Sequence, residues 1–304
     1  MEAKNSFANK INKLVQFCCQ WPGGYYPAFM AVRLGYFFLR IKSRKKILNG
    51  LKLHYLEAGK KGPHLVFLHG LGGSSLTWSF NITVLRKEFH IIAPDLLGFG
   101  RSDKPLISYR VSLITEYLHE FFSDLNISNL ILVGSSLGGW VAAHFTLTYP
   151  DMVEKLILAD SAGYALEHSI SDRERSLINA VTLNDAKAFF KQLFFNSQLV
   201  NESELKIRLK YKLKSNEPYV IDQILDSIEK KQDVLDYRLS GIKIPTLIIW
   251  GKEDQVVPFD HALRFHQEIS GSKLVVFDQC GHVPQAEKAE SFNQEVLQFI
   301  SNPS

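Results

Sequence analysis

The sequence predicts an α/β fold: a mostly parallel sheet covered by helices on both faces, with a helical insertion in its second half. Three observations carry that expectation. From residue 47 onwards, short runs of Ile, Leu and Val alternate with amphipathic segments, the pattern of strands buried by crossover helices. One run, from Leu130 to Val133, breaks into Gly134-Ser135-Ser136-Leu137-Gly138 and continues as a helical pattern. Between residues 161 and 240 the strand runs stop, and the chain becomes charged and helical.

The expected elements follow in order. Residues 52–57 read as an edge strand, with Leu51, Leu53 and Tyr55 on one face. Runs at 64–69, 89–93, 130–134, 155–160, 246–250 and 273–278 read as buried strands. Segments 113–125, 140–148, 261–269 and 291–300 read as the helices that separate most of them. Within the strand-poor stretch, helices are expected at 172–181, 185–194, 202–214 and 218–230. Eighty residues without strands are too many for a loop, so residues 161–240 read as a cap over the C-terminal edge of the sheet. The organisation is then an arm at 1–46, a core at 47–160, the cap, and the rest of the core at 241–304.

Charge separates the arm from the body. Residues 1–46 hold nine Lys or Arg against one acid, Glu2, while the remainder nets −4 within a total of +4. A basic arm on a mildly acidic body does not describe a nucleic-acid-binding domain and fits attraction to an anionic surface. Residues 28–41 are apolar almost all round a helix, interrupted by Arg33 and Arg40, and are followed by a basic cluster from Lys42 to Lys46. That stretch is too short and too charged to span a membrane, and no small-residue cleavage site follows it. An interfacial helix on an anionic membrane surface, at the cytoplasmic side, is the expectation. Packing onto the protein's own body or onto a partner copy is the alternative.

Bulk composition excludes several classes. At 46% hydrophobic and 22% charged residues the chain is ordinary globular protein. Cys18, Cys19 and Cys280 form no disulfide framework and no CxxC, which points to a reducing compartment. There is no HExxH, EF-hand loop, Walker loop or GxGxxG, so neither a metal nor a nucleotide cofactor is expected.

The chemistry gathers at strand ends. A Gly-x-Ser-x-Gly between strand and helix holds its serine out on a strained turn, so Ser136 is the expected nucleophile. A serine hydroxyl needs a base, usually a histidine held by a carboxylate. His282, in Cys280-Gly281-His282-Val283-Pro284, lies past a strand and before the last helix and is the best placed of the ten histidines. Asp254, in the loop after the strand at 246–250, is the expected acid, with Asp160 as its main rival and Glu253 a weaker one. The oxyanion needs donors: Leu137 N–H at the helix start, and Leu71 N–H in the turn His69-Gly70-Leu71-Gly72-Gly73. Gly70, Gly72 and Ser135 flank these donors and are read as substrate-binding.

Five segments in this order resemble the α/β-hydrolase fold superfamily, serine-nucleophile branch, over about residues 47–304. They are His69 to Gly73, Asp95 to Ser102, Gly134 to Gly139, Gly251 to Pro258, and Gly281-His282. The resemblance implies a structural role for Asp95 to Ser102, and serine at the elbow departs from the haloalkane-dehalogenase and epoxide-hydrolase branches. The basic aromatic arm and the stretch Ile244 to Val256 more loosely resemble the membrane-associated monoacylglycerol lipases. That implies hydrolysis of carboxylic esters, such as monoacylglycerols, through an acyl-enzyme on Ser136. Phe189, Phe190, Leu193, Phe194, Phe195 and Leu199 would line an acyl tunnel or form the core of the cap. One alternative uses the same triad for carbon–carbon cleavage, as in meta-cleavage-product hydrolases. Those usually carry Trp after the catalytic Gly-His, where this chain has Val283. The other is a catalytically silent, hydrolase-like binding scaffold.

Overall fold

The computed structural model describes residue 36, residues 39–197 and residues 202–302. Eight strands form one sheet: β1 (Lys42–Leu48), β2 (Leu51–Ala58), β3 (His64–Leu68), β4 (His90–Pro94), β5 (Leu130–Ser135), β6 (Val153–Ala159), β7 (Thr246–Gly251) and β8 (Lys273–Phe277). Their order is β1-β2-β4-β3-β5-β6-β7-β8. From β4 to β8 all neighbours are parallel, whereas β2 runs antiparallel to both β1 and β4.

The first hairpin corrects two expectations. Residues 52–57 are no edge strand: β2 lies inside the sheet and β1 is the edge. The boundary expected at residue 46 falls within β1, because the basic cluster from Lys42 to Lys46 pairs with Leu53 to Glu57. Asn49 and Gly50 join the two strands with φ of 49° and 78°, the left-handed pair that matches strand twist. The interfacial helix expected at 28–41 lies mostly outside the described residues. Of its last residues, Leu39 and Ile41 are buried against the body of the protein. Among the described residues, no helix is long and apolar enough to cross a membrane.

Alternation along the central strands divides the core between the faces of the sheet. Val66, Leu68, Leu132, Leu156, Leu158, Ile248 and Trp250 fill one face, and Leu65, Phe67, Ile131, Val133, Ile157, Leu247 and Ile249 the other. Helix α1 (Ser79–Leu85) covers the second face; α2 (Val111–Asp124) and α3 (Leu137–Thr148) cover the first. No expectation covered α1, a seven-residue helix entered through a 3-10 turn at Ser75–Trp78, too short for a helical period to show.

Among the described residues, the insertion between β6 and β7 holds four α-helices, α4 (Asp172–Ile178), α5 (Leu183–Leu193), α6 (Glu202–Leu213) and α7 (Glu217–Glu229). Helix α7 seats them on the core through buried Val220, Ile221, Ile224 and Leu225. A Cβ on Gly98 would lie 2.6 Å from Val220 Cγ1, so glycine there lets the cap approach. The chain then returns through β7, α8 (Phe259–Glu268) and β8, and ends in α9 (Pro284–Glu287) and α10 (Ala289–Ser301).

Candidate active site

Strand β5 ends at Ser135 and α3 starts at Leu137, so Ser136 makes the turn alone, at φ 56° and ψ −121°. A non-glycine residue is strained there, and the surroundings hold it by backbone bonds. Ser136 N donates to Ala159 O at 3.0 Å, and Ser136 O accepts from Gly139 N, Trp140 N and Ala162 N at 2.9, 3.1 and 3.1 Å. The glycines supply clearance: a Cβ on Gly134 would lie 2.1 Å from Gly138 O, and one on Gly138 2.3 Å from Leu68 O. From residue 130 to 143, Ser136 alone is not buried.

The turn after β3 lies against this serine. A Cβ on Gly70 would sit 3.1 Å from Ser136 Cβ and 3.5 Å from its Oγ. Neither Leu71 N nor Leu137 N has a partner among the described residues, which leaves both free for an oxyanion. His69 holds the turn: its Nδ1 donates to Gly70 O at 2.8 Å and its Nε2 accepts from Leu96 N at 3.0 Å. Burial pushes its imidazole pKa down, in keeping with the neutral ring those bonds need. Asp95 braces the same region, accepting from Ser75 N, Arg101 N and His54 Nδ1 at 2.7, 2.8 and 2.9 Å. Burial opposes its ionisation, but the hydrogen bond and charge of His54 overcome it and hold the carboxyl below the usual range.

His282 and Asp254 meet. His282 Nδ1 donates to Asp254 Oδ2 at 2.7 Å, with side-chain exposures of 4% and 0%, which leaves Nε2 as the acceptor. Asp254 Oδ1 accepts from Val256 N and Val257 N at 2.7 and 3.0 Å. Gln285 Nε2 ties the histidine loop to the elbow through Ser135 Oγ at 3.0 Å. Ser135 is thereby buried and engaged, not turned toward a ligand. Glu253 accepts from Cys280 N, and Asp160 lies close by without reaching His282. Asp160, Asp254 and His282 each bring one ligating atom within 4.8 Å of the others.

The cap reaches this loop directly. His282 N donates to Leu193 O at 2.9 Å, and Glu287 accepts from Gly281 N, Phe195 N and Asn196 N. A cavity of about 50 Å³, open to solvent, lies between the Leu71-Gly72 turn and helices α4 to α7. Phe189, Phe190, Leu205, Leu209 and Ile221 make up most of its apolar lining, beside Arg208, Lys212 and Glu217. Phe189 and Phe190 therefore line it, Leu193 and Phe195 bond through their backbones to His282 and Glu287, and Leu199 lies outside the described residues.

Arg208 and Lys212, four apart on α6, share one face. Arg208 Nη2 donates to Gly72 O, and Lys212 Nζ donates to Ala180 O at 2.9 Å. Arg208 is an exposed side chain that lines the cavity. Burial pushes Lys212 down to about 8; Glu217 is pushed up by the same cause. No expectation covered these three. The available signal was five bases and no acid within residues 205–214.

Residues 63–289 match the family model described as alpha/beta hydrolase fold. The chain belongs to that family. It is 31% identical over 280 residues to an Escherichia coli 2-hydroxy-6-oxononadienedioate/2-hydroxy-6-oxononatrienedioate hydrolase, covering 88% of this chain and 96% of the other. A bacterial membrane phospholipase A superposes with a TM-score of 0.82 at 24% identity, over 99% of this chain and 98% of that one. A meta-cleavage product hydrolase from Pseudomonas fluorescens superposes at 0.77 and 24%, over 86% and 98%. At those identities the two structures speak to the fold alone.

Proposed function

We propose that this member of the hydrolase family cleaves an acid-bearing ketone at a carbon–carbon bond, in the manner of meta-cleavage-product hydrolases. The observation that carries it is the pair of cations on the cap wall, Arg208 and Lys212, beside the Leu71-Gly72 turn. Glu217 supplies one negative charge beside the two cations, so a neutral glyceryl ester would leave a net positive charge in a partly desolvated cavity. A substrate carboxylate pairs with them, and charge-assisted bonds are the stronger kind. The Escherichia coli relative, named for a dienedioate substrate, supports an anionic substrate here.

In this reading Ser136 Oγ adds to the carbonyl carbon while His282 Nε2 takes its proton, and Asp254 steadies the imidazolium. Leu71 and Leu137 N–H receive the oxyanion. The carbon–carbon bond then breaks; its electron pair goes to the keto-acid fragment, where conjugation spreads it, and His282 returns the proton to that carbon. Water, with His282 as base, releases the acyl group as a carboxylic acid.

The second reading keeps the same steps with an alcohol leaving, on an acyl lipid such as a monoacylglycerol. The apolar lining led by Phe189 and Phe190, together with Val283, favours it. Attraction of the basic arm to an anionic membrane surface belongs with this reading. A truncation to test it must spare β1 and end before residue 36.

The deciding experiment compares kcat/KM for a 2-hydroxy-6-oxo-dienoate with that for neutral p-nitrophenyl esters of two to sixteen carbons, in wild type and Arg208→Leu. The dienone acid should be preferred. Arg208→Leu should lower its kcat/KM by about 10- to 100-fold while changing the esters by less than about threefold. A Ser136-dependent preference for long neutral esters would move the assignment to the second reading.

A further inference from the structure

Strand β6 ends on a side chain that the steps above do not use. Asp160 follows Ala159 with φ 43° and is wholly buried. Its Oδ1 accepts from Gly251 N at 2.9 Å, and its Oδ2 has no partner among the described residues. The group beside it is another acid, Asp254, which is itself bonded to His282.

Two adjacent carboxylates shut away from water do not both ionise; the pair keeps one proton. The hydrogen bonds say where it sits. Among the described residues, Asp254 receives three donors, His282 Nδ1, Val256 N and Val257 N, whereas Asp160 receives only Gly251 N. The better-served carboxylate carries the charge, and the proton goes to the oxygen without a donor.

We propose that Asp160 is a positioning residue for the Asp254–His282 pair, a neutral carboxylic acid whose Oδ2–H donates to the Asp254 carboxylate. Burial, and then the charge of Asp254, raise the Asp160 carboxyl well above its usual range. The remaining groups that face it agree in sign. Glu287 adds a further negative charge. The Cys280 thiol, pushed up by its own burial, is uncharged. A fourth donor on Asp254 fixes its plane toward His282 and spreads its charge, which weakens its hold on the imidazolium.

The inference rests on Ser136, His282 and Asp254 acting together, but not on the identity of the substrate. Its test is the pH dependence of Ser136 labelling by a fluorophosphonate, with the infrared C=O stretch of a protonated buried carboxyl read in parallel. Asp160→Asn keeps the shape and a neutral donor, so the acid limb of labelling should stay within about 0.3 pH unit while the rate falls about 2- to 5-fold. Asp160→Ala removes the donor. The undivided charge of Asp254 then holds the imidazolium harder, and the limb should move up by about 0.5 to 1 unit. The protonated-carboxyl band should be present in wild type and lost in Asp160→Asn.

An ionised Asp160 requires the opposite: loss of an anion in Asp160→Asn would move the limb down, and no band would exist. Rate losses without a shift in either variant would make Asp160 a packing residue. Either result overturns the proposal. Wild-type protein that does not label at all removes the Ser136 assignment instead, and the infrared band still decides the state of Asp160.

Discussion

The sheet side and the cap side of the site are built differently. On the sheet side every residue of β5 and ten of the twelve residues of α3 are buried, and backbone contacts leave no room for a Cβ at Gly134 or Gly138. On the cap side α4 buries no residue, α5 only Ala186, and α6 only Leu205 and Lys212. Exposed ion pairs such as Arg173–Asp185 and Lys206–Glu202 run along these helices, and pairs of that kind add little stability. The nucleophile and its donors thus sit where packing fixes backbone positions to tenths of an ångström. The cations that would choose a substrate sit on the looser wall. The difference assigns bond-making to the sheet and selection to the cap.

The strongest way to break that division is at Ser136. Ser136→Ala should lower kcat by a factor of about 10⁴ or more with the circular dichroism spectrum unchanged. Turnover near the wild-type value would take the sheet wall out of the chemistry.

Gly138→Ala probes how rigid that wall is. Alanine is the better helix former by about 1 kcal/mol, yet its Cβ would meet the carbonyl oxygens of Leu68 and His69 at 2.3 and 2.6 Å. Overpacking against backbone should win, costing about 3 kcal/mol, and should appear as a lower urea midpoint. An unmoved midpoint would show the elbow to be as yielding as the cap.

The smallest effect sharpens the cap side. With its pKa pushed down to about 8, Lys212 is a cation below that pH and neutral above it. KM for an anionic substrate should therefore rise several-fold as pH passes through about 8, and Lys212→Met should flatten the rise. A wild-type KM that stays level from pH 7 to 9 would remove Lys212 from substrate recognition.

Much of the fold was legible because its signals are local. The strand runs, the elbow around Ser136 and the turn at His69 depend on which residue stands within a few positions of which, and backbone sterics translate that directly into shape. Asn49-Gly50 was a local signal of the same kind. It marks the β1–β2 hairpin, and without it the edge of the sheet was placed one strand too far inward. Helix α1 gave no such signal, since seven residues hold barely two turns.

What the sequence by itself determined, then, is the succession of the central strands and the presentation of Ser136, because spacing and glycine clearance are properties of neighbouring residues. Only the tertiary structure decided that Asp254 and not Asp160 bonds His282. It alone brought the two acids together, and it alone placed Arg208 and Lys212 in one cavity with the Leu71-Gly72 turn. Those outcomes depend on how far β6 lies from the loop after β7, and on how the cap rests across the sheet. Such distances are set by packing between segments dozens of residues apart, and no local pattern in the chain carries them.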